Sequence, residues 1–187
     1  IFLGHMDAPV YTLSAPVTTM TVQQTNCDKI RPFVVCAVLR DITFNPERYA
    51  SFIDLQDQLH RNLCRNRTLV AIGTHDLDAV QMPFSYDARS PTEIDFVPLT
   101  PADRGSFKAD ALMEFYETDV TAKHLKPYVP IIKSSSLYPV ILDANEAVLS
   151  LPPIINGDLS KITLDTKNVF IECTATDLTK ANIVLDT

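Results

Sequence analysis

The chain has 187 residues, 46% of them hydrophobic, which suffices for one domain with a sizeable core. Its apolar runs are far shorter than the roughly 20 residues of a membrane span, and its first residues lack a signal-peptide pattern. A net charge of −7 excludes a domain that holds nucleic acid by a broad positive field, because phosphate neutralisation requires clustered Lys and Arg. We therefore expect a soluble, cytoplasmic protein that binds neither membrane nor DNA.

A strand and a helix are predicted in the first third of the chain. The run 30–44 is rich in Val, Ile and Phe and predicts a mostly buried strand. Asn45 can then cap a helix in which Pro46 takes the first position and Glu47 meets the positive end of the dipole. Apolar residues recur at helical spacing after this start, so we predict a helix of about 18 residues.

Three cations follow near the end of this predicted helix, namely Arg61, Arg65 and Arg67. Cations are favourable near a helix C-terminus, which is the ordinary structural explanation. The alternative explanation is a patch that contacts phosphate groups. The residue pattern leaves both explanations open.

A second strand is predicted in LVAIGTHDLDAV (69–80), where Gly73 indicates a bend or a close approach to the backbone. The proline-rich stretch 81–107 predicts loops with one strand at EIDFVPL (93–99). The segment KADALMEFYETD (108–119) then predicts a short amphipathic helix packed on the core.

The last third of the chain is mostly β-like. YPVILD (138–143) and AVLSL (147–151) are joined by a turn-like tetrad and predict a hairpin. KNVFIECTATD (167–177) predicts another strand, and LTKANIVLD (178–186) is typical of either a helix or a strand. Strands with interspersed, not strictly alternating, helices predict an α+β fold with mixed or antiparallel sheets covered by helices.

One carboxylate stands out in the predicted strand 167–177. Side chains alternate along a strand, so Glu172 shares a face with Phe170 and Thr174. Burying this carboxylate among apolar neighbours is unfavourable unless a group hydrogen-bonds it. The two interpretations are therefore a glutamate on a solvent-facing sheet edge and a buried glutamate at a functional site.

The segment VLSLPPIINGD (148–158) combines a strand with several turn-forming residues. Pro152 and Pro153 lack backbone donors, so we expect the strand to stop being a central ladder strand there. Asn156 and Gly157 predict a tight turn. A serine hydroxyl at Ser150, free carbonyls and a glycine turn would suit a polar mouth over an apolar pocket. A proline-terminated edge strand explains the same residues equally well.

His75 could act as a base or position a water molecule. In the sequence HDLD, however, Asp76 or Asp78 could simply cap a helix, and His75 could have an ordinary structural role. No nucleophile elbow, zinc-protease motif or phosphate-binding loop occurs in the chain.

The sequence predicts no metal site. Its cysteines lack a C-x-x-C pair and are predicted to be buried free thiols: Cys27, Cys36, Cys64 and Cys173. Its histidines show no ligand spacing: His5, His60, His75 and His124. A metal-dependent hydrolase is therefore the weakest functional hypothesis.

The order of "SLPPIINGD" and "ECTATD", together with "IRPFVVCAVLRDITF" and "LVAIGTHDLDAV", resembles the editing (B3/4) domain of phenylalanyl-tRNA synthetase β subunits. The eukaryotic and archaeal type is more similar than the bacterial type. The resemblance runs from about residue 7 to the C-terminus. It implies one sandwich-like domain over 1–187, cut from a larger β subunit, with 1–10 as a lead-in.

The resemblance implies an enzyme of the aminoacyl-tRNA synthetase class that hydrolyses mischarged tyrosyl-tRNA(Phe) after transfer. The implied partners are the tyrosine-carrying 3′ end of tRNA(Phe) and the catalytic α subunit of an α2β2 parent enzyme. No cofactor is implied for this domain, whereas the parent enzyme uses ATP and Mg²⁺. The alternative is a non-catalytic module that positions tRNA or contacts another subunit with a degenerate site.

By motif match, the resemblance also implies roles for particular residues. Glu172 would accept a hydrogen bond from the tyrosine phenol, with Thr174 beside it. Archaeal members of the family often carry Asp where this chain has Glu172. The residues implied at the pocket mouth are Ser150, Pro152, Pro153, Asn156 and Gly157. We predict catalytic roles for Ser150, Asn156 and Thr174, because direct attack by a positioned water is expected. His75 matches a bacterial site histidine only weakly, and its replacement is expected to have little effect.

Overall fold

The computed structural model describes residues 26–187 and Ala15. The predicted lead-in 1–10 and His5 lie outside these residues. The strands are β1 (Phe33–Leu39), β2 (Val70–Asp76), β3 (Ser85–Arg89), β4 (Asp95–Phe96), β5 (Phe107–Lys108), β6 (Tyr138–Leu142), β7 (Val148–Leu151), β8 (Ile155–Asn156) and β9 (Val169–Ala175). The α-helices are α1 (Pro46–Arg61), α2 (Ala109–Thr118) and α3 (Leu178–Leu185). None of the helices in this described part combines the length and the hydropathy needed to cross a membrane.

Two antiparallel sheets stack on each other. The first has the order β1-β9-β2, so the last strand of the chain lies between the first two. The second has the order β3-β6-β7-β8 and contains the predicted hairpin, β6 and β7. A two-stranded ribbon, β4 and β5, completes the β structure of the described residues.

Alternation along β9 divides its residues between two apolar layers. Phe170 points between the two sheets, where it packs with Tyr86, Ile141 and Leu149. Residues of the opposite face pack against α3 on the outside of the first sheet. Helix α2 covers the outer face of the second sheet. The result is a sandwich covered by helices, which confirms the predicted α+β class.

Capping residues mark where helices α1 and α3 begin. The Asn45 side chain accepts a hydrogen bond from the Arg48 amide, Pro46 opens the helix, and α1 has 16 residues. Asp177 caps α3 by accepting from the Lys180 amide, so the open choice for segment 178–186 is settled as a helix. In 93–99 only β4 is extended, because prolines interrupt the surrounding segment.

The prediction for 148–158 was partly wrong. The chain reverses at Pro152 and Pro153, where the Ile154 amide donates to the Leu151 carbonyl at 2.8 Å. Asn156 is therefore part of β8, not of a tight turn. Because β8 pairs with β7, β7 lies between two neighbours and is not an edge strand. The prolines end β7, but β7 does not become an edge strand, because the chain turns back and β8 pairs with it.

Candidate functional site

Glu172 lies on β9, the central strand, and its side chain points between the two sheets. It is 2% exposed, so the interpretation as a glutamate on a solvent-facing edge is wrong. Its backbone neighbours across the sheet are Cys36 on β1 and Gly73 on β2. Strand order, which the sequence does not reveal, places this carboxylate in the interior.

Gly73 makes room for the carboxylate. A Cβ atom added to Gly73 would lie 2.2 Å from Glu172 Oε1 and 2.8 Å from its Cδ. No side chain larger than hydrogen fits at this position unless Glu172 moves. The expectation of a close approach at Gly73 is therefore confirmed, and the approaching group is the glutamate.

Ser150 holds one oxygen of this carboxylate. Its hydroxyl, 1% exposed on β7, donates to Glu172 Oε1 at 2.9 Å. The second carboxylate oxygen, Oε2, is buried and has no hydrogen-bond partner among the residues that the structure describes. Ser150 and Glu172 are therefore in direct contact, although Ser150 itself is buried and is not among the residues that line the cavity beside Glu172. One acceptor oxygen of the carboxylate remains available to a bound group.

His75 lies deeper on the same face. Its Nδ1 is 2.8 Å from Ser160 Oγ, its Nε2 is 3.9 Å from Glu172 Oε1, and its ring stacks on Phe170. Asp76 accepts from the Asp78 amide and caps the short 3₁₀ turn that follows β2, as one interpretation of HDLD predicted. Because His75 is fully buried, it contacts a bound group only through a rearrangement of this layer.

A cavity of about 120 Å³ opens beside Glu172, between α1, β2 and the loop after β7. Its walls include Gln56 and His60 from α1, Pro152 and Pro153 from that loop, and Asn156 from β8. An apolar cavity of roughly 150 Å³ binds benzene in another protein, so this volume has the scale of one aromatic ring. The two prolines contribute apolar wall surface, and Glu172 contributes the carboxylate.

Side chains of the cavity wall cover the free edge of β2. At Ile72, the amide donates to His60 Nε2 at 2.9 Å and the carbonyl accepts from Gln56 Nε2 at 3.3 Å. Asn156 Nδ2 donates to the Thr74 carbonyl at 3.2 Å. Gln56 and His60 are four residues apart and therefore share one face of α1. Asn156 thus lines the cavity and also fixes the loop to the sheet.

Two arginines flank the site. Arg31 lies behind it, whereas Arg67 lines the cavity, and the Nε of Arg67 is buried without a hydrogen-bond partner among the described residues. Arg31 is buried, and it donates to Thr174 Oγ1 at 3.3 Å and to the Thr174 carbonyl at 2.7 Å. Arg67 donates to the Ile154 carbonyl at 2.9 Å and stacks over the ring of Tyr128. Burial lowers the pKa of both guanidinium groups. Both arginines use their charge within the domain.

This arrangement removes Arg67 from the alternative explanation of the three arginines, a patch that contacts phosphate groups. Arg67 is turned inward by a left-handed segment in which Arg65, Asn66 and Arg67 all have positive φ angles. Arg61 and Arg65 are exposed, so only these two remain available to a phosphate group. The left-handed turn was not predicted, because such runs normally contain glycine.

The other predicted site residues have different positions. The Thr174 hydroxyl is fully buried and accepts from Arg31, so it lies behind the cavity wall. Gly157 lies next to the loop, where an added Cβ would be 2.7 Å from the Val148 carbonyl. Its role is close backbone packing between the β7–β8 segment and the chain at Pro98, to which it is bridged.

Sequence reasoning assigned no role at this site to four residues, namely Gln56, His60, Arg31 and Arg67. Burial, and secondarily the charge of Arg67, lowers the pKa of His60 to about 3, so the ring is neutral at pH 7. The spacing of Gln56 and His60 on one helix face was the only available signal. In the region that the structure describes, no group of three or more His, Cys, Asp or Glu side chains could hold a metal ion.

The fold and the site together define an α+β sandwich domain that carries a buried carboxylate at a ring-sized cavity. A protein-family model described as "B3/4 domain" matches residues 21–183. The chain belongs to the B3/4 domain family.

Named relatives agree with this family. The chain is 58% identical over 191 residues to the cytoplasmic phenylalanine–tRNA ligase β subunit of Arabidopsis thaliana, covering 100% of the chain and 31% of that protein. It is 63% identical over 159 residues to the β subunit of Drosophila melanogaster, covering 85% of the chain and 26% of that protein. The chain therefore spans about a third or less of the curated relatives it matches.

A solved structure has the same fold. The crystal structure of an N-terminal fragment of the phenylalanyl-tRNA synthetase β subunit from Pyrococcus horikoshii superposes with a TM-score of 0.82 at 30% identity. The alignment covers 98% of this chain and 53% of that fragment.

Proposed function

We propose that this chain is the editing domain of a cytoplasmic phenylalanine–tRNA ligase β subunit and that it hydrolyses tyrosyl-tRNA(Phe). Water adds to the acyl carbon of the ester, and the bond from that carbon to the ribose oxygen breaks. The ribose oxygen takes a proton from the water and leaves as a hydroxyl, and tyrosine is released as the free acid. The tRNA then returns to the synthetic site uncharged.

A second site is needed for a physical reason. An apolar pocket that binds phenylalanine rejects tyrosine only weakly, because tyrosine merely adds a hydroxyl group. A site that hydrogen-bonds that hydroxyl discriminates strongly, because phenylalanine would leave a buried polar group unpaired.

The observation that carries the proposal is the free oxygen of Glu172. Ser150 occupies Oε1, whereas Oε2 is buried without a partner in the described part of the chain, and the glutamate lines a ring-sized cavity. A phenol entering that cavity would find one carboxylate acceptor, with apolar surface from the prolines on one side and polar groups from α1, Arg67 and Asn156 on the other. A hydrogen bond to a charged acceptor contributes about 1.5–3 kcal/mol, which corresponds to roughly 10–150-fold discrimination.

Other predicted residues take supporting roles in this proposal. Ser150 orients the carboxylate, Pro152 and Pro153 enclose the ring, and Asn156 holds the loop that carries them. Thr174 supports the floor through Arg31. The net charge of −7 requires other domains and the catalytic α subunit to hold the tRNA body. ATP and Mg²⁺ belong to the synthetic reaction of the parent enzyme.

The test compares Glu172→Ala with wild type in the complete α2β2 ligase. Single-turnover deacylation is measured for tyrosyl-tRNA(Phe) and phenylalanyl-tRNA(Phe), together with the rate of phenylalanine charging. We expect the variant to charge phenylalanine normally, to deacylate the tyrosyl ester about 10–150-fold more slowly, and to lose its preference between the esters. Glu114→Ala, at an exposed glutamate of α2, is the matched control and should behave as wild type.

Two results would contradict the proposal. If Glu172→Ala retains the wild-type rate and preference, tyrosine is recognised elsewhere. If the wild-type enzyme itself does not deacylate tyrosyl-tRNA(Phe), the domain is the non-catalytic module that positions tRNA or contacts another subunit.

A further inference from the structure

His60 presents a hydrogen-bond donor that the described residues do not use. The ring is 3% exposed and lines the cavity beside Glu172. Its Nε2 accepts from the Ile72 amide at 2.9 Å, so in the neutral ring the proton lies on Nδ1. Nδ1 is buried and has no partner within the described part of the chain.

This donor is maintained by its surroundings. Burial and the nearby charge of Arg67 keep the imidazole neutral, so it donates through one nitrogen at physiological pH. The amide of Ile72 fixes the tautomer, because Nε2 accepts its hydrogen bond and the proton must therefore lie on Nδ1. An unpaired buried donor is unfavourable, so a bound acceptor atom that pairs with it would stabilise the complex.

The chemistry of the aminoacyl group limits the choice of acceptor. A cavity of 120 Å³ has the scale of the tyrosine ring alone, so the ester and the nucleoside attached to it extend to the open side of the cavity. Within a tyrosyl ester, the phenol hydroxyl is paired with Glu172 in the proposed function, and the α-ammonium group only donates. The acyl oxygen is the strongest remaining acceptor, and it becomes more negative when water adds to the carbon.

We propose that His60 Nδ1–H donates to the acyl oxygen of the bound aminoacyl ester, and that it stabilises the negative charge which develops there during hydrolysis. This inference rests on the proposed editing function and adds a residue to it. His60 and Glu172 contact different parts of the substrate. Glu172 recognises the hydroxyl that only tyrosine has, whereas His60 contacts a group that every aminoacyl ester shares.

Two substitutions at His60 separate the two ring nitrogens. In His60→Gln the amide reaches the position of Nε2, so the contact with Ile72 is kept and the Nδ1 donor is lost. In His60→Asn the amide reaches the position of Nδ1, so a donor is kept and the Ile72 contact is lost. His124→Gln, at an exposed histidine, is the matched control.

The experiment measures single-turnover deacylation of tyrosyl-tRNA(Phe) and phenylalanyl-tRNA(Phe) by the complete α2β2 ligase, with phenylalanine charging as a check on integrity. We expect His60→Gln to slow both esters by the same factor, about 10–100-fold, and to leave their ratio unchanged. His60→Asn should be faster than His60→Gln, although it loses the contact with the strand.

The outcomes distinguish this inference from the proposed function. If wild type deacylates the tyrosyl ester and His60→Gln matches it, or if His60→Asn is the slower variant, His60 is a structural residue and the inference is wrong. If only the ratio of the two esters changes, His60 acts on specificity and the acyl-oxygen contact is wrong. If wild type shows no deacylation, the proposed function fails and this inference fails with it.

Discussion

The close approach at Gly73 predicts a large energetic coupling between Gly73 and Glu172. In Gly73→Ala the new Cβ would lie 2.2 Å from Glu172 Oε1 and 3.0 Å from His75 Nε2, whereas ordinary contacts begin near 3.4 Å. The carboxylate must therefore move by about 1 Å, which disrupts the 2.9 Å hydrogen bond from Ser150.

The free energy of unfolding should fall accordingly. Overpacking in a core is unfavourable by about 1–3 kcal/mol, and a hydrogen bond to a charged group contributes about 1.5–3 kcal/mol. The reduced entropy of the unfolded chain returns about 0.4–1 kcal/mol, since the backbone of Gly73 is in a region that alanine can adopt. We expect Gly73→Ala to lower the free energy of unfolding by about 2–4 kcal/mol.

A double-mutant cycle checks this reasoning. In Glu172→Ala the atom that the new Cβ would strike is absent, so Gly73→Ala should then be neutral or slightly stabilising. Urea unfolding of the four forms of the 187-residue chain gives the coupling free energy, which we expect to be about 2 kcal/mol or more. If the two substitutions are additive within about 0.5 kcal/mol, the glycine is not needed for the glutamate.

Two further predictions concern the histidines. Burial lowers the pKa of His60 from the ordinary 6.5 to about 3 in the folded state. As pH falls from 6.5 to 3, the unfolded state therefore binds a proton that the folded state does not bind, and the free energy of unfolding decreases. In His60→Gln the free energy of unfolding from urea titration should no longer fall over this pH range, a difference on the order of 4 kcal/mol from wild type. The same pH dependence in the variant and in wild type would contradict the lowered pKa of His60. His75→Ala should lower the free energy of unfolding by about 2–3 kcal/mol, because the ring packs on Phe170 and bonds Ser160. In the complete ligase the same variant should slow tyrosyl-tRNA hydrolysis by less than tenfold, and a loss of several hundredfold would make His75 catalytic.

These measurements test separate parts of the site. The Gly73 cycle reports on how the carboxylate is held, independently of any substrate. The His60 pH profile reports on the neutral imidazole and its contact with Ile72. Only the deacylation rates depend on the proposed function, so a failure of editing would leave the three stability predictions, at Gly73, His60 and His75, standing.

Several elements were predictable because their determinants are close together in the chain. Asn45 and Pro46 start α1 through a cap that spans three residues. Alternation along β9 correctly placed Glu172 on one face with Phe170 and Thr174, since side-chain direction in a strand depends only on position. The turn between β6 and β7 was likewise visible from its own residues.

The environment of Glu172 was not predictable from these patterns. Whether β9 lies at the centre or at the edge of its sheet depends on β1 and β2, which are more than ninety residues earlier in the chain. Its hydrogen bond from Ser150 crosses 22 residues, and the bond from Arg31 to Thr174 crosses 143. The family resemblance pointed to the same glutamate through its motif.

The sequence by itself determined the α+β class, the starts of α1 and α2, the faces of β9 and membership of the B3/4 family, because these depend on local periodicity, capping and motif order. Only the tertiary structure decided that Glu172 is buried over Gly73, that Arg67 turns inward, and that His60 faces the cavity with its Nε2 bound to β2. A side chain's partners and solvation depend on which distant segments pack against it, and packing, not local propensity, sets the free energy of a buried charge.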